Sequence, residues 1–265
     1  RGGHDLGGVT MIPDLCHRAA RDIAGAHHIV ALTGAGISVE SGIPPFRGPG
    51  GIWEKLDPME YAHIDAFMRD PGRVWRVLIA DMKTLLDQAR PNDAHMGLVR
   101  LERMGKLKTI ITQNVDGLHQ AAGSHDVIEF HGNFAWQRCL ACGRRISTTD
   151  VEMAEMPPRC SCGGILRPEC VFFGEMIEPV NLSRSRDAAA RCDVMLVVGT
   201  SAMVQPAALM PTIARQAGAT VIEINFEPTP LTGQVAHYSL LGEAGATFNA
   251  ILAALEREFQ GDRKG

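Results

Sequence analysis

The chain reads as an α/β protein: a doubly wound parallel sheet carrying a helical insertion and a small zinc-binding module. Three observations predict this. Short apolar runs of strand length alternate with stretches of helical periodicity, each run stops at small or polar residues, and four cysteines cluster where apolar periodicity is almost absent. Continuous apolar runs are what strands buried on both faces of a parallel sheet require. Composition agrees, since 45% hydrophobic and 21% charged residues in 265 make an ordinary globular chain. The 28 glycines and 15 prolines point to many turns rather than a helical bundle.

In order along the chain, residues 1–10 read as a flexible tail. Ile12, Leu15, Cys16, Ala19, Ala20 and Ile23 follow helical spacing, with Pro13 in the first turn. The first apolar run, His28 to Leu32, stops at Thr33-Gly34-Ala35-Gly36, and similar runs recur at Thr109–Ile111, Val127–Phe130, Val194–Val198 and Val221–Ile224. Helical stretches lie between them at Ala94–Met104 and Pro206–Ala217, and a last helix places Phe248, Ile251, Leu252, Leu255 and Phe259 on one face. Gly42–Arg90 breaks the rhythm with a Gly/Pro-rich loop and then a helical stripe of Val74, Trp75, Leu78, Ile79, Met82, Leu85 and Leu86, which reads as core. Residues 11–41, 91–138 and 166–260 are therefore assigned to the sheet domain, 42–90 to a loop-and-helix insertion and 139–165 to the zinc module. The uncharged run Val194–Ala214 is interrupted by Gly199, Thr200, Ser201, Gln205, Pro206 and Pro211, so it reads as strand, turn and helix rather than a membrane span. With no secretory pattern at the start, a soluble cytoplasmic protein is expected. A net charge of −4 argues against wholesale binding of nucleic acid or anionic membranes.

The carboxyl ends of the apolar runs carry the functional signal. They end in Gly34-Ala35-Gly36-Ile37-Ser38, Thr112-Gln113-Asn114-Val115-Asp116, His131-Gly132-Asn133, Gly199-Thr200-Ser201 and Asn225. Ligands of open α/β sheets bind outside these ends, so all five clusters are expected to face one site. The glycines at 34 and 36 suit close approach of backbone N–H groups to a diphosphate. Yet Val39 stands where the dinucleotide fingerprint wants a third glycine, and no acidic residue follows a second strand at the usual distance. An ordinary dehydrogenase is thus disfavoured, and a glycine turn that merely packs a helix on the sheet remains an alternative.

Cys139 and Cys142 are separated by two residues and Cys160 and Cys162 by one, beside Gly143, Gly163 and Gly164. Two close pairs of thiolates with glycine turns suit tetrahedral zinc, and four thiolates leave no open position for catalysis. Cys16 and Cys192 read as small buried hydrophobes.

Taken together, these residues resemble the sirtuins, NAD-dependent protein-lysine deacylases, from about Met11 onward. Gly34–Ser38 with Glu40–Gly48 is similar to the family's cofactor loop, Thr112–His119 to its nicotinamide-side signature, and Phe130-His131-Gly132 to its catalytic-histidine motif. Pro91-Asn92, Ala94-His95, the four cysteines, Arg167–Glu175, Gly199–Ser201 and Ile224-Asn225 follow in the family's order. The resemblance implies a Rossmann-like NAD-binding domain and transfer of an acyl group from lysine to ADP-ribose with release of nicotinamide. His131 would be the general base on a ribose hydroxyl, a task suited to an imidazole near neutral pH. Asn114 would serve catalysis by binding a ribose hydroxyl and a water. Asp116, with the Val115 backbone, would hold the carboxamide; Phe46 would shield the ribose carbon and Arg47 position cofactor or water. Gly34, Ala35, Gly36, Ser38, Ile43 and Gln113 would complete the contacts to ribose and phosphate, and Gly199, Thr200, Ser201, Asn225 and Ala244 those to the adenosine half.

The resemblance also implies that an acyl-lysine peptide pairs as a strand with Val171–Glu175 on one side and a segment near Val204 on the other. Val171 and Phe173 would line the acyl-lysine tunnel, Gly174 and Glu175 would contact the peptide, and Cys170 would point away. Family members that prefer succinyl or malonyl lysine carry Tyr and Arg where this chain has Leu78 and Asp81. Leu offers no hydrogen bond and Asp would repel a carboxylate, so neutral acyl groups are expected. The partners implied are acylated lysines of proteins, with protein mono-ADP-ribosylation as the alternative activity and a bacterial or archaeal type of enzyme. Oligomeric state is left open.

Overall fold

The computed structural model describes residues 12–261, so the tail expected at 1–10 lies outside the described residues. Six strands form one sheet, all of whose pairings are parallel: β1 (Ile29–Thr33), β2 (Leu107–Thr112), β3 (Val127–Glu129), β7 (Val194–Val198), β8 (Thr220–Asn225) and β9 (Tyr238–Leu241), in the order β3-β2-β1-β7-β8-β9. The strand order reverses at β1, which lies between β2 and β7, and such a switch point opens a crevice at the carboxyl ends. Every residue of β1 and of β7 is buried, as their unbroken apolar runs require.

Helices cover both faces. Ile12–Gly25, Asp93–Arg103 and Ala244–Gly261 pack Ala19, Ile23, Leu98, Leu101, Phe248, Ile251 and Leu255 on one face, while Pro179–Arg191 and Met210–Gln216 pack Ala188, Ala189, Met210 and Ala214 on the other. Cys16 and Cys192 are buried among these apolar groups, as expected. The helix expected over Pro206–Ala217 is split into a short 3-10 turn, Ala207–Leu209, and a regular helix from Met210. Pro211 lies in the first turn of that helix, where its missing N–H costs nothing. Among the described residues no helix is long and apolar enough to cross a membrane.

The segment Gly42–Arg90 builds short helices at Pro58–Tyr61, Ile64–Arg69 and Pro71–Val74, a π turn at Trp75–Ile79, and a helix at Ala80–Gln88. Its stripe forms a separate core in which Phe67, Val74, Trp75, Leu78, Ile79 and Met82 meet Phe134 and Phe172. Those two partners belong to a second sheet, or to the chain just after it. This sheet is antiparallel, in the order β5-β4-β6, from β4 (Gly132–Cys139), β5 (Arg145–Ser147) and β6 (Leu166–Cys170). Trp75 fastens the insertion to it by donating its indole N–H to the Leu166 carbonyl at 2.9 Å. A cleft of about 1160 Å³ opens between the parallel sheet's carboxyl ends, the insertion and this second sheet.

Candidate active site

Four strand ends of the parallel sheet and the second residue after β3 meet at the cleft. Gly34, Ala35, Gly36, Gln113, Asn114, Val115, His131, Gly199, Thr200, Ser201 and Asn225 all line it. The backbone N–H groups of Gly34 and Gly36 both have partners. The Gly34 N–H donates to Val198 O at 3.1 Å and the Gly36 N–H to Gly199 O at 2.7 Å, so neither is free for an anion. A methyl group on Gly36 would lie 2.7 Å from the Gly199 Cα, and Gly199 itself takes φ +60°, so glycine is needed where these two loops cross. Both glycines line the cleft at this crossing. Gln113 ties the loops together by donating its side-chain N–H to Thr200 Oγ1 at 2.9 Å, and Asn225 reaches Thr200 O at 3.4 Å.

Behind the lining lies a buried polar network. The Asn114 amide donates to Gly34 O at 3.1 Å and to Ser38 Oγ at 3.2 Å, and the Ser38 hydroxyl donates to Asp116 Oδ2 at 2.7 Å. The second Asp116 oxygen accepts the Leu118 N–H at 2.9 Å, which fixes the carboxylate plane. Ser38 and Asp116 thus brace Asn114 from behind the wall residues. Ile43 is further removed: it is buried against Ala89 and Leu118. Asn114 is held from beneath as well, since its N–H donates to Thr112 Oγ1, which also accepts the Thr33 hydroxyl, and Thr33 meets His119 Nε2 at 2.9 Å. Burial pushes the His119 imidazole down to about 3, and burial pushes its neighbour His95 down to about 4 against the opposing pull of Asp116, so both rings are neutral supports at neutral pH.

His131 lines the cleft between the two sheets in chain order. It follows β3 by two residues and immediately precedes β4, so both sheets position it. Its Nδ1 lies 3.0 Å from the Gln113 carbonyl; a carbonyl only accepts, so Nδ1 carries the proton and Nε2 keeps its lone pair. Burial moves its pKa below the ordinary imidazole value, partly opposed by the Gln113 bond. The result is a neutral imidazole with a fixed tautomer, which is what a general base needs.

Phe46 and Arg47 line the cleft from the insertion side, where Phe46 stacks on Trp53 with ring centres 5.3 Å apart. Ala244, Val171, Phe173, Gly174, Glu175 and Val204 line it too. Cys170, the last residue of β6, lines the cleft as well. Val171–Glu175 is not a free edge along its whole length. The Phe173 N–H donates to Ala62 O and its carbonyl accepts the Ile64 N–H, while the Val171 N–H donates to His131 O. Asp81 is exposed and outside the cleft wall, which takes Leu78, Ile79 and Met82 instead. The π turn at Trp75–Ile79 adds a residue to the helical register, so ordinary spacing misplaces the residues beyond it.

Several wall residues carried no motif signal: Trp53, Ala62, Phe134, Met203 and Glu227. Phe226 and Glu227 directly follow Asn225 and could have been found by extending the strand-end rule two residues. Glu40 lines the cleft and also accepts the Gly245 N–H at 3.0 Å, an acidic cap on the last helix.

The four cysteines converge away from the cleft. Their sulfurs all lie within 4.8 Å of one another, with Cys139–Cys162 at 3.5 Å and Cys142–Cys160 at 3.8 Å. Thiolates around tetrahedral zinc at about 2.3 Å sit roughly 3.8 Å apart, so the set fits the metal. Backbone N–H groups of Cys142 and Ala141 pull the Cys139 thiol down to about 6. The Gly164 N–H pulls the Cys162 thiol down, but Cys142 and Cys139 with the burial of the site together drive it up to about 11. Sulfurs this crowded are kept ionised together only by a cation.

Comparison with known proteins agrees with this geometry. The model of the Sir2 family matches residues 34–206. An NAD-dependent protein deacylase 1 of Archaeoglobus fulgidus is 46% identical over 233 residues, which are 88% of this chain and 94% of that protein. Among solved structures, a Sir2 homolog–NAD complex is 42% identical with a TM-score of 0.83, covering 96% of this chain and 97% of that one. A complex of Sir2 with a p53 peptide and NAD+ is 34% identical with a TM-score of 0.80, covering 88% and 95%. Matched along most of its length in both sequence and fold, the chain belongs to the Sir2 family.

Proposed function

We propose that the protein is an NAD-dependent protein-lysine deacylase acting on neutral acyl groups, with His131 as general base and Asn114 beside it. The observation that carries this reading is the placement of His131. With Nδ1 held by the Gln113 carbonyl, Nε2 keeps its lone pair in a residue of the cleft wall, which the strand-end loops share with Val171, Phe173, Leu78 and Ile79.

NAD would supply the electrophilic ribose carbon and the nicotinamide leaving group; the rest is the work of the chain. Gln113, Gly199–Ser201, Asn225 and Ala244 would hold the adenosine and diphosphate portions along the strand ends. Asn114, already braced by Gly34 and Ser38, would orient a ribose hydroxyl toward His131 Nε2, which takes its proton. Asp116, kept in plane by Leu118, would receive the carboxamide N–H near Val115. Phe46, backed by Trp53, would exclude water from the ribose carbon, and Arg47 lies beside it for the anionic portion. The four cysteines would hold one structural zinc that takes no part in the chemistry.

Acyl choice follows from the wall. Leu78, Ile79 and Met82 offer no donor to a carboxylate, and a carboxylate left without a partner in such a wall carries its full desolvation cost. The absence of a donor, rather than repulsion by Asp81, supports the preference. A panel of acetyl, butyryl, malonyl and succinyl lysine peptides, read as nicotinamide release with NAD, is expected to give kcat/KM at least about tenfold higher for the neutral acyl groups. Equal rates on succinyl and acetyl peptides would overturn it.

A further inference from the structure

Glu175 was expected to contact the peptide, but its carboxylate is already engaged. Arg167, in β6, donates from Nη1 to Glu175 Oε1 at 2.6 Å and from Nη2 to Glu175 Oε2 at 2.8 Å. The same Nη2 donates to the Cys170 carbonyl at 2.7 Å, and Glu175 Oε2 also accepts the Phe172 N–H at 2.8 Å. The Arg167 side chain is only 13% exposed, and its guanidinium stacks on the Phe172 ring, 4.9 Å from the centroid, with Phe67 of the insertion 6.0 Å away. A bidentate fork that also holds a carbonyl and two aromatic faces fixes geometry in a way a point charge cannot.

What this fork fixes is the stretch between its contacts. The Glu175 N–H turns back to the Phe172 carbonyl at 3.1 Å, and Gly174 at the bend takes φ +86°. A methyl group on Gly174 would lie 2.6 Å from His63 Nε2, so the bend is also seated against the insertion. Val171 and Phe173 spend their N–H groups on His131 and Ala62, and Phe172 spends both its backbone groups on Glu175. Among the described hydrogen bonds, the N–H and carbonyl of Gly174 are the first backbone pair along this cleft-lining stretch without a partner.

We propose that Arg167 is a positioning residue for the peptide substrate: through Glu175 and the Cys170 carbonyl it holds the Cys170–Glu175 turn, so that the Gly174 backbone can pair with the peptide main chain. Glu175 is the other half of this clamp and does not itself bind the peptide. The inference rests on the deacylase reading above. Strand pairing supplies main-chain recognition, so the clamp serves the peptide around the lysine and not the acyl-lysine side chain or NAD.

The test compares two substrates with NAD at saturation: an acetyl-lysine peptide with several flanking residues, and a single acetyl-lysine blocked at both ends, which has no strand to pair. Two variants are measured, Arg167→Lys, which keeps the charge and loses the fork, and Glu175→Gln, which keeps the shape and loses the charge. The ratio of kcat/KM for the peptide to that for the blocked lysine does not depend on how much of a variant is folded. It is expected to fall by about tenfold or more in Arg167→Lys, with a smaller fall in Glu175→Gln, and KM for NAD within about twofold of the parent. A ratio unchanged within about twofold in both variants would overturn the proposal, as would a rise in KM for NAD that accompanies the loss. If Arg167→Lys does not accumulate as folded protein, the ratio for Glu175→Gln decides by the same criterion. A parent enzyme that releases no nicotinamide in response to either substrate would instead sink the deacylase reading.

Discussion

Replacing His131 by alanine is expected to lower deacylation of an acetyl-lysine peptide by about 10²–10⁴-fold, the range a positioned general base contributes. The Gln113 carbonyl keeps the proton on Nδ1, so the imidazole presents one basic nitrogen, and alanine leaves nothing in its place. NAD affinity should change little, because the loops at 34–38, 113–116 and 199–201 are braced by one another. The pH profile gives the same claim a second edge. Burial lowers the His131 pKa, so the base stays neutral, and the parent enzyme active, as pH falls through the ordinary imidazole value of about 6.5. The acid limb of kcat/KM should therefore lie below that value. A limb above it, or an alanine variant with the parent's rate, would remove His131 from the role.

The second large effect concerns the metal. Substituting Cys160 by serine, or stripping zinc with a strong chelator, is expected to unfold residues 139–165 and abolish activity although none of the four cysteine sulfurs lies at the cleft. The module buries little apolar surface of its own: Cys139, Cys160 and Leu166, with Ile146 and Val151 partly covered. Structural zinc in such modules contributes about 10–16 kcal/mol of apparent binding free energy, which is then folding free energy. The damage reaches the site through the antiparallel sheet. β4 runs from the residue after His131 to Cys139, and β6 runs from Leu166, close behind Cys162, to the residue before Val171. Zinc content, circular dichroism and activity measured together should show one equivalent of metal in the parent and a joint loss in the variant. A zinc-free protein with full activity would rule out this role for the metal.

How much could be read from residues alone depends on the strength of each physical signal. β1 and β7 are buried on both faces, and their apolar runs are unbroken, so strands and strand ends stood out. The helix Pro179–Arg191 did not, because it buries only Ser185, Ala188 and Ala189 and shows no apolar stripe. β9, Tyr238–Leu241, is a four-residue edge strand with an alternating pattern too short to register. At the site, residues tied to a strand end fall beside the cleft because topology puts every such end there. A departure came where the backbone leaves regular geometry, at Asp81 after a π turn. Likewise, the glycines at 34, 36 and 199 record how closely two loops cross, a tertiary fact that spacing along one loop does not contain.

Transfer of an acyl group from lysine to the ribose of NAD is the central claim, and product identity tests it most directly. The protein is incubated with NAD and an acetyl-lysine peptide, and the products are quantified by liquid chromatography and mass spectrometry. Nicotinamide, deacetylated peptide and acetyl-ADP-ribose are expected in equal amounts. Free acetate without consumption of NAD, ADP-ribose attached to protein, or reduced nicotinamide dinucleotide would each contradict it.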